Sequence, residues 1–241
     1  MQSKPAFGLE TDHQKACEIA RLAGYEVVVF DMEHGTLDES ALDRLVPYCN
    51  GLGLETYVRV SEPTRPRIQM ALDIGSKGVI LPQIADLAHA AVTAGYSKFP
   101  PLGTRGLGYS RTQEYGAATD EFIDSENATR RCYVMIETAT ALRDAAAIAG
   151  LDCVDGLFVG PGDLSLTRGR GVFGARTADI EDMRAIAAAA KAAGKAWAVA
   201  AGHSVYRRAA LALGPEFATN ADDLSALIAG FRTMFDAYEP H

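Results

Sequence analysis

The residues best suited to chemistry stand where short apolar runs end. In "VVVFDMEHG", the ionisable residues Asp31, Glu33 and His34 follow four apolar residues. Arg59 lies in the next apolar run, "TYVRV", and Glu137 lies in "YVMIET". Histidine exchanges protons near neutral pH, and the planar guanidinium of arginine matches a carboxylate. These residues predict either a site that binds an anion and moves a proton, or ordinary ion pairs where strands meet water.

Two acids form a second candidate group. Asp163 lies in "GLFVGPGDLS", directly after the apolar run that follows Glu137. Carboxylates at the ends of neighbouring strands can converge, and two oxygen ligands with open positions beside them suit Mg²⁺ or Mn²⁺. Without a cation the two charges would repel each other, and one acid would be protonated. The alternative is that each acid only caps the helix that follows it.

These residues belong to a chain in which an apolar run, a turn and a helical segment repeat in that order. The predicted strands are Phe7–Glu10, Glu26–Met32, Glu55–Val60, Gly78–Ile84, Arg131–Glu137, Val154–Gly160, Lys195–Ala201 and Glu216–Asn220. Several are continuously apolar, which is typical of parallel strands covered on both faces. Eight such units favour a (β/α)₈ barrel that forms one domain over residues 1–241, with an open doubly wound sheet as the alternative. In a barrel, the candidate residues would meet at the C-terminal ends of the strands.

Two segments give more local predictions. The segment "TLDESALDRLVPYC" carries an apolar helical stripe, formed by Leu42, Leu45, Val46 and Cys49. Thr36 and Glu39 predict a capping box at the start of this helix, and Pro47 predicts a kink or an early end. Residues 99–130 interrupt the repeating order, and long excursions of this kind are usually functional or mobile.

Charge and cysteine content narrow the class of protein. A formal net charge of −8 argues against nucleic acid as a partner and means that an anionic ligand needs a local cation. The cysteines, Cys17, Cys49, Cys132 and Cys153, show no metal or disulfide spacing and are predicted to be reduced core thiols. No signal-peptide pattern and no window of 18 apolar residues is present. We therefore expect no membrane partner and a cytoplasmic location.

The motifs "FDMEHG", "VRV", "FPPLGTRGLG", "MIET" and "GLFVGPGDLS", in this order, resemble the HpcH/HpaI aldolase family, the metal-dependent class II pyruvate aldolases. The resemblance extends from about residue 6 to about residue 235. It implies a (β/α)₈ barrel of the phosphoenolpyruvate/pyruvate type. The implied reaction is the reversible aldol cleavage of a 4-hydroxy-2-oxo acid to an aldehyde and pyruvate, or a related 2-keto acid such as hydroxypyruvate.

The resemblance also implies roles for individual residues. Glu137 and Asp163 match the family's metal ligands, for Mg²⁺ or Mn²⁺, with Co²⁺ as a further option. Arg59 matches the arginine that holds the keto acid and its enolate. His34 matches the catalytic histidine and Asp31 its acidic partner. His203, after the seventh predicted strand, is the alternative histidine.

Further implied features concern substrate binding and assembly. The turn formed by Gly160, Pro161, Gly162 and Asp163 would place backbone N–H groups at the substrate carboxylate. Asp73, in "ALDIG", matches an acid that in relatives reaches the site of a neighbouring subunit. Family members are commonly hexamers, built as trimers of dimers that exchange their last helix. Here that helix would be "DDLSALIAGFRTMFDAY".

One position departs from the family pattern and leaves the keto acid open. Met135 stands where the best-known members have glutamine, and its side chain cannot form an amide hydrogen bond. The small Ala200 and Ala201 predict a roomy aldehyde side. Lys77 and Lys98 are poorly placed to form a Schiff base, which favours the metal route.

Two other functions stay open. The same fold and acids occur in enzymes that act on acyl-CoA esters or phosphoenolpyruvate, which need more positive charge than Arg59 and Arg105 supply. The alternative that is not an enzyme is a non-catalytic protein that binds a keto acid.

Overall fold

The computed structural model describes residues 2–238, in which eight parallel strands close into a barrel. The strands are β1 (Lys4–Leu9), β2 (Val27–Asp31), β3 (Glu55–Arg59), β4 (Gly78–Leu81), β5 (Arg131–Ile136), β6 (Gly156–Val159), β7 (Ala196–Ala200) and β8 (Phe217–Asp222). Each strand pairs with the next, and β1 also pairs with β8. This closure confirms the predicted (β/α)₈ barrel and excludes the open sheet.

Helices cover the outside of the barrel and connect successive strands. They are α1 (Gln14–Leu22), α2 (Glu39–Gly51), α3 (Arg65–Asp73), α4 (Leu87–Gly95), α5 (Asp120–Thr129), α6 (Ala139–Ala149), α7 (Pro161–Thr167), α8 (Thr177–Ala192), α9 (Ser204–Leu213) and α10 (Asp223–Asp236). Strands such as β2 are buried along their whole length, because one side faces the barrel interior and the other faces the helices.

Aromatic side chains fill the lower barrel and leave the mouth to polar groups. The rings of Tyr57 and Phe217 lie 4.7 Å apart between their centroids, and those of Tyr133 and Phe217 lie 5.6 Å apart. Gly156 permits this packing, because a Cβ there would lie 2.4 Å from the Tyr133 ring. Successive strand residues alternate sides, so Arg59, two residues after Tyr57, also points inward but at the C-terminal mouth.

Helix α2 begins differently from its prediction. The predicted stripe is buried, but the cap is Asp38, whose carboxylate accepts a hydrogen bond from the Ala41 N–H at 2.8 Å. The prediction of Thr36 as the cap was therefore wrong. The backbone N–H of Thr36 instead donates to the Glu10 carbonyl at 2.7 Å.

Pro47 does not shorten α2, which continues to Gly51. A proline leaves the carbonyl four residues earlier without its helical donor. Here that carbonyl belongs to Asp43, and the guanidinium of Arg111 reaches it at 3.5 Å while binding the Asp43 carboxylate at 2.8 Å. A distant side chain thus replaces the missing N–H group.

The long excursion of residues 99–130 lies between α4 and β5. Since it connects the end of a helix to the start of a strand, it lies at the N-terminal end of the barrel, away from the mouth. It contains a short 3₁₀ turn, Arg111–Gln113, and α5. Within one subunit the excursion therefore contributes nothing to the mouth of its own barrel.

The four cysteines are free and buried, as predicted. No helix within residues 2–238 has both the length and the apolarity needed to cross a bilayer.

Candidate active site

A cavity of about 370 Å³ opens at the C-terminal mouth of the barrel. Its lining includes Asp31 and Arg59 from adjacent strands, and Met135 and Phe158 from the opposite side. Ala200 also lines it, whereas Ala201 is buried beneath. Met135, which departs from the family pattern, therefore lies at the same cavity as Arg59.

Asp31 and Arg59 are cross-strand neighbours in the register of β2 and β3. The Asp31 carboxylate accepts two hydrogen bonds from the guanidinium, one of them from Nε at 2.9 Å. Nη1 of Arg59 lies 3.2 Å from an oxygen of Glu33. Burial disfavours the guanidinium charge, but the hydrogen bond and charge of Asp31, with the charges of Glu33 and Glu137, outweigh it and raise the pKa of Arg59. Arg59 is thus a fixed, permanent cation at the cavity wall.

His34 lies beside the cavity but has a different partner from the one expected. Asp31 accepts hydrogen bonds from the backbone N–H groups of Glu33 and His34, at 2.9 and 3.1 Å, rather than from the imidazole. The nearest acid to the ring is Glu33, whose Oε2 lies 4.0 Å from Nε2. The imidazole is 61% exposed. Asp31 therefore positions the backbone that carries His34, and Glu33, left without a role by the sequence hypothesis, contacts both Arg59 and the histidine.

Glu137 is only 1% exposed and directly follows β5 at the same mouth. One carboxylate oxygen accepts a hydrogen bond from the backbone N–H of Gln83. Burial, with the charges of Glu33 and Asp163, raises the pKa of Glu137 to about 7, although the Gln83 bond and Arg59 oppose the shift. Asp163, the other predicted metal ligand, is therefore close enough to Glu137 for its charge to act on that carboxylate.

Because Gly160 has no side chain, the Glu137 carboxylate can lie against the turn that carries Asp163. A Cβ at Gly160 would lie 3.0 Å from Oε2 of Glu137 and 2.6 Å from the terminal methyl of Met135. The Glu137 carboxylate therefore occupies space that any larger residue at position 160 would take. Asp163 is half-buried in the first turn of α7.

These two acids fit a hard divalent cation. A buried carboxylate with a second one facing it is repulsive unless a proton or a cation intervenes. Across residues 2–238, no cluster of three or more His, Cys, Asp and Glu is arranged to hold a metal. Glu137 and Asp163 would therefore supply two oxygen ligands and leave the other positions to substrate and water, an arrangement that suits Mg²⁺ or Mn²⁺.

The turn at residues 160–163 offers fewer donors than expected. The N–H of Gly160 donates to the Ile136 carbonyl at 3.3 Å, and Pro161 has no N–H group. Of the four predicted residues, Gly162 and Asp163 alone keep first-turn N–H groups without a partner inside α7. Backbone contacts to a substrate are thus restricted to these two residues.

Three predicted or considered residues lie at the other end of the barrel. Asp73 ends α3 and accepts a hydrogen bond from Arg105 at 2.6 Å. Arg105 is 3% exposed and also binds Glu126, so its assignment to the mouth was wrong. Lys98 is bound to Asp155 at 2.8 Å near the start of the strands. Asp73 cannot reach the mouth of its own barrel.

Gln83 is a second residue, after Glu33, to which the sequence hypothesis gave no role. It follows β4 with a positive φ of 54°, a conformation that non-glycine residues rarely adopt. Its backbone N–H binds Glu137, and its side-chain amide donates to Glu33 at 3.2 Å. It therefore links the predicted metal acid to the acid beside His34. The sequence signal that could have identified Gln83 as a site residue is its position directly after the apolar run in "GVILPQ".

Comparisons with known proteins identify the family to which the chain belongs. The family model described as HpcH/HpaI aldolase/citrate lyase matches residues 7–228. A hydroxypyruvate/pyruvate aldolase of Rhizorhabdus wittichii is 32% identical over 90% of this chain and 86% of its own length. A 5-keto-4-deoxy-D-glucarate aldolase of Salmonella arizonae is 31% identical over 92% of this chain and 87% of its own length.

Solved structures show the same fold. A crystal structure of an HpcH/HpaI aldolase/citrate lyase family protein from Burkholderia cenocepacia superposes with a TM-score of 0.88 and 27% identity, over 98% of this chain and 94% of that one. The match of the family model over most of the barrel, with relatives that are aldolases, shows that the chain is a carbon–carbon lyase and belongs to the HpcH/HpaI aldolase/citrate lyase family.

Proposed function

We propose that the protein is a divalent-metal-dependent aldolase that cleaves a 4-hydroxy-2-oxo acid to an aldehyde and pyruvate, or a related 2-keto acid such as hydroxypyruvate. One observation carries the proposal. Arg59, fixed by Asp31 and Glu33, lines the mouth cavity, and the buried Glu137 carboxylate faces Asp163 at the same mouth. A fixed cation beside two oxygen ligands suits a 2-keto acid bound through its carboxylate and carbonyl oxygens.

Each residue has a defined part in the proposed reaction. The divalent ion held by Glu137 and Asp163 would, when bound, act as a Lewis acid on the 2-keto acid. Arg59 places positive charge where the enolate oxygen develops negative charge, a contribution of roughly 3 kcal/mol for one preorganised donor. The N–H groups of Gly162 and Asp163 are placed to bind the substrate carboxylate.

His34 supplies the proton transfer. In cleavage, its Nε2 takes the proton of the C4 hydroxyl, directly or through one water. The C3–C4 bond then breaks, its electron pair forms the enolate between C2 and C3, and the aldehyde leaves. A proton taken up at C3 converts the enolate to the keto acid. In the reverse reaction, aldol addition, the imidazole returns a proton to the oxygen that becomes the new hydroxyl. A general base of this kind contributes roughly 10²–10⁴-fold. The exposed imidazole can reach a substrate in the open mouth.

The observed lysines favour the metal route over a Schiff base. No lysine lines the mouth cavity in the part of the chain that the structure describes. The Nζ of Lys98 is held by the carbonyls of Asn127 and Arg130, at 2.9 and 2.6 Å, at the opposite end of the barrel.

The charge of the cavity disfavours the rival enzyme class. An acyl-CoA or phosphoenolpyruvate substrate needs cations for its phosphates. Among the described lining residues Arg59 is the one cation, since Arg105 lies at the opposite end.

We further propose that the protein assembles as a hexamer, a trimer of dimers that exchange α10. Helix α10 and α1 border an apolar groove of about 400 Å³, which we call the α1–α10 groove. Phe231 and Met234 line the groove and are 69% and 76% exposed. Monomeric proteins seldom expose apolar surface of this kind. Asp73, 35% exposed at the N-terminal end, would act in the site of a neighbouring subunit.

The proposed enzyme would act in the cytoplasm, where free thiols persist.

A screen of aldol cleavage and addition tests the reaction. Pyruvate and hydroxypyruvate are each combined with several aldehydes, with and without EDTA. Loss of activity with EDTA and its return with Mn²⁺, Mg²⁺ or Co²⁺ is the expected result. Activity that ignores EDTA and is lost on borohydride trapping would identify an imine enzyme. Metal-dependent pyruvate binding without turnover would identify a binding protein.

A further inference from the structure

The mouth cavity has an acidic side that the proposed reaction does not use. Glu10 directly follows β1, and with Asn220 and Asp222 of β8 it lines the cavity. In a closed barrel of eight strands, β1 lies across the mouth from β5. Because Glu137 directly follows β5, a keto acid bound there would extend toward β1 and β8. The aldehyde half of the substrate therefore faces Glu10.

Glu10 differs from the acids around it because its carboxylate has no hydrogen-bond partner among residues 2–238. Asp222 caps α10 by accepting a hydrogen bond from the Ser225 N–H at 2.6 Å. Asp223 accepts one from the Glu10 N–H at 2.9 Å. The backbone of Glu10 is thus fixed at both its N–H and its carbonyl, while no described residue donates a hydrogen bond to its side chain. The carboxylate is positioned and remains available to a ligand.

The charges around Glu10 are unfavourable to an anion. Burial, followed by the charges of Asp222, Asp31 and Asp223, raises the pKa of Glu10, and Arg59 opposes the shift. The guanidinium of Arg59 is already bound by Asp31 and approached by Glu33. A carboxylate or phosphate on the aldehyde would meet acids without a free cation among the described lining residues.

From this geometry we infer that Glu10 determines specificity for the aldehyde, selecting uncharged hydroxylated aldehydes and rejecting anionic ones. The inference rests on the proposed function. Glu10 accepts a hydrogen bond from a hydroxyl of the aldehyde, and Asn220, half-buried beside it, supplies an amide that can donate or accept. The small Ala200 leaves space for a hydroxylated chain.

Three acceptors with pyruvate test the inference: glyceraldehyde, propanal, which has the same carbon chain without hydroxyls, and succinic semialdehyde, which carries a carboxylate. In the wild-type enzyme, kcat/KM for glyceraldehyde should exceed the other two values by about tenfold, the effect of one hydrogen bond to a charged group or one close like charge. Glu10→Ala should reduce the preference for glyceraldehyde over propanal to about twofold or less. Glu10→Gln, which keeps a hydrogen-bonding group, should raise the relative kcat/KM for succinic semialdehyde by about tenfold.

Glu181→Gln is the matched control, because it removes the same charge from the exposed outer surface of α8. It should leave all three values unchanged. An unchanged acceptor preference in both Glu10 variants, a wild-type preference for succinic semialdehyde, or an equal shift in Glu181→Gln would each overturn the inference.

A partial reaction separates this inference from the proposed function. The C3 protons of pyruvate exchange with D₂O when the enolate forms, and NMR follows this exchange without any aldehyde. Exchange in the wild type and in Glu10→Gln, with no change in acceptor preference, would overturn the role of Glu10 alone. Absence of exchange in the metal-loaded wild type would overturn the proposed function and this inference with it.

Discussion

The carboxylate of Asp31 holds the guanidinium of Arg59 at two points across neighbouring strands. The pair is mostly buried, with side-chain exposures of 8% and 16%. A long arginine side chain would otherwise move among many rotamers, and the ion pair fixes it before a substrate arrives. This relationship makes Arg59 a preorganised group, and the first two predictions follow from it.

Arg59→Lys should lower kcat/KM for cleavage roughly 100-fold, since a single ammonium keeps the charge but cannot bind Asp31 and the substrate at once. Steady-state kinetics measures the loss. Arg67→Lys is the control, because Arg67 forms an exposed pair with Glu39. Equal activity of Arg59→Lys and the wild type would contradict the role of the guanidinium.

Asp31→Asn should lower the free energy of unfolding by about 3 kcal/mol, the lower end of the cost of breaking a buried ion pair, since Glu33 still faces Arg59. Urea unfolding measures the change. Glu39→Gln, which breaks an exposed pair, should cost less than about 1 kcal/mol. Similar losses in the two variants would show that the Asp31–Arg59 pair is energetically an ordinary surface contact.

Gly160→Ala should weaken the binding of Mn²⁺ at least about tenfold, because the new methyl would displace the Glu137 carboxylate. The terminal methyl of Met135 can move aside, but Glu137 is held by the Gln83 N–H. Isothermal titration calorimetry measures the affinity. In Gly162→Ala the added methyl meets open space, so Mn²⁺ affinity should not change. A wild-type affinity in Gly160→Ala would remove Glu137 from the metal site.

His34→Ala should lower kcat roughly 10²–10⁴-fold while leaving the KM for the keto acid nearly unchanged. Because the imidazole is largely exposed, the free energy of unfolding should stay within about 0.5 kcal/mol of the wild type. Kinetics and urea unfolding provide the two measurements. His203→Ala, at the N-cap of α9, tests the alternative histidine. If the His203 variant loses activity and the His34 variant keeps it, the two assignments must be exchanged.

Phe231→Asp should convert the proposed hexamer to smaller species, because a charge would then enter the α1–α10 groove. Sedimentation velocity reports the change. Val172→Asp places the same charge at another exposed apolar position and should leave the assembly intact. A wild-type protein that sediments as a monomer would contradict the proposed exchange of α10.

Local patterns predicted the barrel and most of the candidate site. Continuous apolar runs such as β2 identify parallel strands, and the polar residues that end them must meet at one mouth when the sheet closes. Arg59 and Glu137 were identified in this way. The free state of the cysteines also followed from their spacing, and their burial followed from the usual location of free cysteine.

Contacts between distant segments were not visible in the same patterns. Asp31 binds Arg59 rather than the imidazole of His34 because the register of β2 and β3 places the two residues side by side. Arg105 lies at the N-terminal end of the barrel, away from the mouth, because its segment precedes a strand instead of following one. The link from Gln83 to Glu137 depends on a positive φ and on the approach of β4 to β5.

The amino-acid sequence by itself determined which side chains stand at strand ends, because apolarity and its period are properties of neighbouring residues. Only the tertiary structure decided which of those side chains touch, and among the described residues it left the Glu10 carboxylate without a hydrogen-bond donor at the cavity wall. Strand register, barrel closure and the course of long connections bring together residues far apart in the chain. Ion pairs and pKa shifts depend on these distances, and local composition does not fix them.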